Sequence, residues 1–323
     1  MHLLTGYLGS GKTTLLSRLL RLPSLADTAV VINELGEMGL DHVLVDRGSE
    51  DDVVLLDSGC LCCALGNSLQ ETLESLHFRR ERGELPPFAR VVVETTGVAD
   101  PGPIAATLSL DAAIARHYRL GSIATVVDAA HGMTHLDRFP EARRQVAMAD
   151  RIVVSKGDLV DAAAIARLEA RLRALNPHAP FIRGIAGDVG ANAVFAEAHL
   201  PRIMPPDERH HADHDHDHLA EQRIATTTVR LRRPLPWPRY AAFVHWAQRT
   251  LGENLLRMKG AVRMDDGEVR ALHGVLRMFS APQPLRSLPE EFGPGVIVLI
   301  TQDVPQALLN DACLHLIGDD PLP

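Results

Sequence analysis

Eight residues near the start of the chain, Gly6-Tyr-Leu-Gly-Ser-Gly11-Lys12-Thr13, constrain its fold more than any other stretch. Two glycines separated by four residues and followed by Lys and Thr form a phosphate loop when they join a strand to a helix. Here they stand between a short aliphatic run, Leu3 to Thr5, and the helical spacing of Leu15, Leu16, Leu19 and Leu20. Gly6, Gly9 and Gly11 let backbone N–H groups close around phosphate oxygens, with Ser10 and Thr14 on either side of the turn, and the helix N-terminus adds a favourable dipole. Lys12 neutralises β/γ charge, and the Thr13 hydroxyl is a Mg²⁺ ligand. A glycine-rich strand-to-helix turn is the bland alternative, and it has little claim once the whole motif stands in this context.

A phosphate loop needs an α/β sheet around it, and the chain supplies one. Aliphatic runs at Ala29 to Asn33, Val53 to Leu56, Val91 to Glu94, Ala124 to Asp128, Ile152 to Ser155 and Phe181 to Arg183 alternate with amphipathic segments. Runs without polar alternation fit strands covered by helices on both faces, as a mostly parallel sheet requires. From Pro201 to Leu219 proline, charge and histidine replace apolar periodicity, which marks a domain boundary. Beyond it, alternating runs at Thr226 to Arg232, Leu255 to Met264, Val269 to Ser280 and Val296 to Thr301 surround a helical pattern from Pro238 to Leu251. A last helix follows from about Pro305 to Leu316. This order predicts a smaller α+β domain with helices on one face of an antiparallel sheet. The expected organisation is a P-loop domain over 1–204, a His-rich linker over 205–221 and an α+β domain over 222–323.

Which nucleotide is bound depends on a second motif. Ser155-Lys156-Gly-Asp158 follows an aliphatic strand. An Asp carboxylate there can accept from guanine N1–H and N2–H₂, a donor pair that adenine lacks, and a Lys stem can cover the base. With the phosphate loop this favours GTP over ATP, although a charged strand-end turn would read the same in isolation. Arg90-Val-Val-Val-Glu94-Thr-Thr-Gly97 supplies the remaining part: Glu94 can hold Mg²⁺ through water, and the Gly97 N–H is placed to report a γ-phosphate. A buried strand with an exposed terminal Glu is the plainer reading.

Of four cysteines, Cys60, Cys62 and Cys63 fall within four residues, which is not the spacing of a disulfide framework. They follow the strand at Val53 and precede an amphipathic pattern of Leu65, Leu69, Leu73 and Leu76. Thiolates near a helix N-terminus have lowered pKa and suit Zn²⁺, Cu(I) or related ions, and three leave one tetrahedral position open for release. Three small buried hydrophobes or a redox couple are the alternatives, the latter weakened by the strain of a bond between adjacent cysteines. The acidic, glycine-bearing segment from Asn33 to His42, with Glu37, reads as a switch loop or as a solvated loop. His210, His211, His214, His216 and His218, interleaved with aspartates, can collect divalent metal loosely.

Composition limits the partners. Lys+Arg number 33 against 41 Asp+Glu, a net charge of −8, with 46% apolar residues. An ordinary acidic chain without a long basic block argues against nucleic acid and anionic lipid as main partners. No apolar stretch is long enough to span a bilayer, and the N-terminus is not ordered as a signal peptide, so a cytoplasmic protein is expected.

Taken in order, LLTGYLGSGKTTLL, INELGEMGLD, SGCLCC, VVVETTGVADPGPI, SKGD and, near the C-terminus, LLRMKGAV and LHGVLRMFSA resemble the CobW/YjiA family of P-loop GTPases, metallochaperones that include zinc-transfer proteins. The resemblance spans nearly the full chain. It implies GTP hydrolysis with Mg²⁺ and with Lys12 and Glu94 in catalytic roles, and a zinc or other transition-metal site at Cys60, Cys62 and Cys63 with help from Glu37. It also implies a C-terminal domain that engages a client metalloprotein; a nucleotide- or metal-dependent homo-oligomer is a further expectation. Two departures stand out: Ser155 replaces a common Asn, so guanine selectivity rests chiefly on Asp158, and Ile32 stands where many relatives carry a further acid. A metal buffer or sensor with a regulatory nucleotide site, and an ATP-dependent enzyme with a small-molecule substrate, are the rival readings.

Overall fold

The computed structural model describes residues 1–33, 53–55, 61–64, 69–183, 190–196 and 224–317, and the chain divides into two compact units. The first is built on strands β1 (His2–Thr5), β2 (Thr28–Asn33), β3 (Val53–Leu55), β4 (Leu61–Ala64), β5 (Arg90–Thr95), β6 (Ser122–Asp128), β7 (Arg151–Ser155) and β8 (Phe181–Arg183). They form one sheet in the order β3-β4-β2-β5-β1-β6-β7-β8. Neighbours run parallel throughout, except β3 against β4. Helices α1 (Lys12–Leu19), α2 (Leu69–Glu81), α3 (Pro101–Leu110), α4 (Ala112–His117), α5 (Gly132–Arg138), α6 (Pro140–Met148), α7 (Ala162–Leu175) and α8 (Ala191–Phe195) connect the strands. Parallel strands need such crossovers, which cover the sheet and explain why Val91, Val92 and Val93 form an unbroken buried run. Leu16, Leu19 and Leu20 from the first helix pack with Leu4, Val92 and Val126 in one core. The turn after β1 therefore lies between β5 and β6 at the carboxyl edge of the sheet, where open α/β sheets take their ligands.

The second unit carries β9 (Ile224–Leu231), α9 (Trp237–Thr250), β10 (Leu255–Arg263), β11 (Val269–Val275), β12 (Met278–Phe279), β13 (Gln283–Pro284), β14 (Gly295–Gln302) and α10 (Gln306–Ile317). Its sheet is antiparallel, in the order β12-β11-β10-β14-β9 with β13 also on β11. Met258, Val262, Ile297 and Leu299 share a core with Phe243 of α9 and Ala312 of α10, so one sheet face meets both helices. Among the described residues no helix is long and apolar enough to cross a membrane.

Two features of the structure go beyond or against the sequence expectations. Cys62 and Cys63 lie on β4, which the sequence did not mark as a strand. Cysteine behaves as a small hydrophobe that suits a sheet, and the parallel neighbour β2, which a local pattern cannot reveal, recruits the segment into the ladder. The expected strand from Val269 to Ser280 is a tight hairpin instead, turning at Leu276 and Arg277 with Leu276 in the left-handed region at φ 54°. Turn positions of that kind are marked in sequence by Gly, Asn or Asp, and a leucine gives no such signal. Leu16 is fully enclosed between α1 and the sheet, so Leu16→Ala is expected to lower the unfolding free energy by about 2–5 kcal/mol, read from the urea midpoint.

Candidate functional site

The phosphate loop takes its shape from three glycines with positive φ: Gly6 at 146°, Gly9 at 72° and Gly11 at 91°. At Gly6 a Cβ would stand 2.3 Å from the carbonyl oxygen of Val126, so no other residue fits between β1 and β6 there. Gly11 occupies the N-cap of α1 and offers no side chain to its first N–H groups, which suits an anion at that end. Lys12 is buried and donates from Nζ to Gly6 O at 2.9 Å and, at the limit of a hydrogen bond, to Tyr7 O at 3.5 Å. Its charge thus lies across the loop.

Glu94, the next-to-last residue of β5, is fully buried, and Thr13 Oγ1 donates to its Oε1 at 2.6 Å, joining residues 81 positions apart. The structure thereby brings together the two residues expected at a magnesium site. Three residues on, Gly97 is pressed against the phosphate loop: a Cβ there would lie 2.6 Å from Leu8 N and 2.7 Å from Leu8 Cα. The carbonyl oxygens of Gly97 and Ala99 accept from Gln145 Nε2, at 3.1 and 3.0 Å. Sequence reasoning passed over Gln145. Its one signal was a position three residues after Ala142, on the stripe of α6 that faces inward.

Ser155 closes β7 and donates from Oγ to Ser10 O at 2.6 Å, so it holds the phosphate loop. Lys156, in the left-handed region at φ 55°, donates to Gly9 O at 2.7 Å and to Asp128 Oδ2 at 2.8 Å. Asp158 follows on the turn Gly157–Leu159, with its side chain exposed. Asp128, which sequence reasoning named only as the end of a strand, is 2% exposed and also accepts from the Ala130 N–H at 2.7 Å, with His131 Nδ1 at 3.0 Å. Burial pushes its carboxyl upward, but the hydrogen bonds from Lys156, His131 and Ala130 and the charge of Lys156 outweigh that and hold it below the usual aspartate range. The acid is therefore ionised wherever the lysine needs it.

Of the thiol motif, the backbone of Cys62 and Cys63 is described. Val30 pairs with Cys62 and Val31 with Cys63, while on the other side of β2 Val31 pairs with Val93 and Ile32 with Glu94. Ala64 is thus level with Glu94 across a single intervening strand, about 10 Å away at the usual strand spacing. Cys60, Glu37, His210, His211, His214, His216 and His218 lie outside the described residues. Among the described residues no group of three or more His, Cys, Asp and Glu is arranged to hold a metal ion.

Comparison with known proteins agrees with this geometry. Residues 1–183 match the CobW/HypB/UreG nucleotide-binding domain and residues 224–315 the cobalamin synthesis protein CobW C-terminal domain. The chain is 33% identical over 289 residues to the zinc chaperone YjiA of Escherichia coli, covering 86% of each. It is 28% identical to a zinc-regulated GTPase metalloprotein activator of Schizosaccharomyces pombe, over 98% of this chain and 83% of that protein. A crystal structure of the Zn(II)-bound YjiA GTPase from E. coli superposes with a TM-score of 0.76 at 29% identity, covering 98% of both chains. With the nucleotide-binding half and the C-terminal half both matched in sequence, this chain belongs to the CobW/HypB/UreG family.

Proposed function

We propose that this chain is a GTP-hydrolysing metallochaperone that couples nucleotide state to the transfer of a transition metal, zinc, to a client metalloprotein. The observation that carries the reading is the shared level of Ala64 and Glu94 on either side of β2, with a single strand between the thiol strand and the strand bearing the phosphate-end acid. Relatives described as a zinc chaperone and a zinc-regulated GTPase, and a zinc-bound structure, support the metal and the nucleotide. In this reading Cys60, Cys62 and Cys63, with Glu37, take the metal as cargo, and the histidines from His210 to His218 gather it. The part over 222–323 engages the client, and the GTPase part spans 1–204.

The described side chains support a hydrolytic site at the phosphate loop. N–H groups of Gly9, Ser10, Gly11, Lys12, Thr13 and Thr14 cradle the phosphates, and the Lys12 ammonium moves from the loop carbonyls to the β/γ oxygens. The Thr13 hydroxyl and the Glu94 carboxylate are hard oxygen donors already in contact, a set that suits Mg²⁺ beside phosphate oxygens. When bound, magnesium neutralises charge on the transferring group. Gly97 offers its N–H to the γ-phosphate, Ser155 and Lys156 hold the phosphate loop from behind, and Asp158 accepts from the guanine edge. Stabilisation of the transition state rests on Lys12 and fixed backbone donors, so unstimulated turnover is expected to be slow.

The deciding experiment is steady-state GTP hydrolysis across a metal series, wild type beside Cys62→Ala. A zinc-dependent change in rate that disappears in the variant while nucleotide affinity holds is the expected result. Zinc affinity measured with a non-hydrolysable GTP analogue and with GDP should differ about fivefold or more, and equal affinities would remove the coupling. Asp158→Asn is expected to cut the preference for GTP over ATP in competition binding by about tenfold or more, because one of guanine's two donors loses its acceptor and meets an NH₂ donor in its place. If wild type prefers ATP, the role given to Asp158 is wrong.

A further inference from the structure

Gln145 is 1% exposed on α6, and its side-chain nitrogen and backbone carbonyl are both engaged by neighbouring elements. Its Nε2 donates to two carbonyls of the loop after β5, Gly97 O and Ala99 O. Two acceptors at one end fix the orientation of the amide, since only the nitrogen can serve both. Its own carbonyl accepts from Thr125 Oγ1 at 2.8 Å, which ties this turn of α6 to β6. The remaining atom, Oε1, is buried with no protein partner, and so is Ser10 Oγ in the phosphate loop. Gln145 and Ser10 line the same small cavity beneath the phosphate loop.

The geometry points to Gln145 as a positioning residue that sets discrimination between GTP and GDP. It holds the loop of Gly97 and Ala99 through two hydrogen bonds and ties it, by way of Thr125, to β6, against which Gly6 of the phosphate loop is pressed. The Gly97 N–H and the phosphate-loop donors are thereby held at a fixed separation. Gly97 has no side chain of its own with which to anchor, and it stands close against Leu8. The amide of Gln145 supplies a second hold, through the carbonyls of Gly97 and Ala99. This inference rests on Gly97 reporting the γ-phosphate, as read above. A fixed donor favours the nucleotide that carries the γ-phosphate and leaves GDP nearly untouched, because GDP places nothing against the loop.

The test uses the full chain with Mg²⁺: equilibrium binding of GDP and of a non-hydrolysable GTP analogue, and steady-state hydrolysis, for wild type, Gln145→Met and Gln145→Glu. Gln145→Met keeps the shape and removes both donors, so affinity for the GTP analogue should fall roughly tenfold while that for GDP stays within about twofold. Gln145→Glu sets a carboxylate oxygen against two carbonyl oxygens and should do worse near pH 8. It should recover relative to Gln145→Met as the pH falls toward about 5.5, because a buried acid facing acceptors protonates above its ordinary value and then donates one hydrogen bond. A purely structural role predicts lower thermal midpoints with the wild-type ratio of GTP to GDP affinity in both variants, and that result overturns the inference. If Gln145→Glu does not fold, Gln145→Met decides alone. Wild type that binds no guanine nucleotide sinks the functional reading itself, whereas wild type and variants that discriminate equally sink only the role of Gln145.

Discussion

At Gly6 a side chain would meet the carbonyl oxygen of Val126, and at Gly97 it would meet the backbone of Leu8. Backbone pressed against backbone at these two points sets the phosphate end of the sheet. The turn after β1 can lie between β5 and β6 only because Gly6 has no Cβ. The loop after β5 can reach the same turn only because Gly97 has none. A protein interior yields little to added atoms, so such contacts fix positions to within a few tenths of an ångström. Thr13 reaches Glu94, and Ser155 reaches Ser10, only because those approaches hold.

Around this contact the polar groups divide by sign. Lys12 takes the carbonyls of Gly6 and Tyr7, Lys156 that of Gly9 and Ser155 that of Ser10, so the oxygens of the loop turn toward protein donors. A loop whose carbonyls are engaged on one side presents N–H groups on the other, which is the requirement for cradling phosphate. Asp128 completes the set by holding Lys156. Its lowered pKa means that this hold is complete above the ordinary aspartate range and fades only as acid takes the pH down through the native value. The base-side motif and the phosphate loop are therefore one hydrogen-bonded body, although 145 residues separate Ser155 from Ser10.

Much of this was legible from residue order. The loop from Gly6 to Thr13, the strands ending at Glu94 and Ser155, and the change from parallel to antiparallel architecture all rest on local patterns: glycine spacing, unbroken aliphatic runs, alternation. Those signals survive in a single sequence because their cause is local, in backbone freedom and in which faces of an element are covered. Ser155 shows the boundary. Its place at the end of a strand was readable, but its bond to Ser10 depends on how far β7 reaches across the sheet.

What the sequence determined, then, was the kind of element at each place and the residue types offered at its end: a lysine and threonine opening a helix, an acid closing a strand, thiols within four positions of one another. What only the tertiary structure decided was adjacency. It made Cys62 and Cys63 part of a strand separated from β5 by β2 alone, turned Val269 to Ser280 into a hairpin at a leucine, and tied Gln145 to the loop of Gly97. Such neighbours come from sheet order and helix packing, where the partner of a residue lies tens of positions away in the chain and leaves no local trace in the residue's own surroundings.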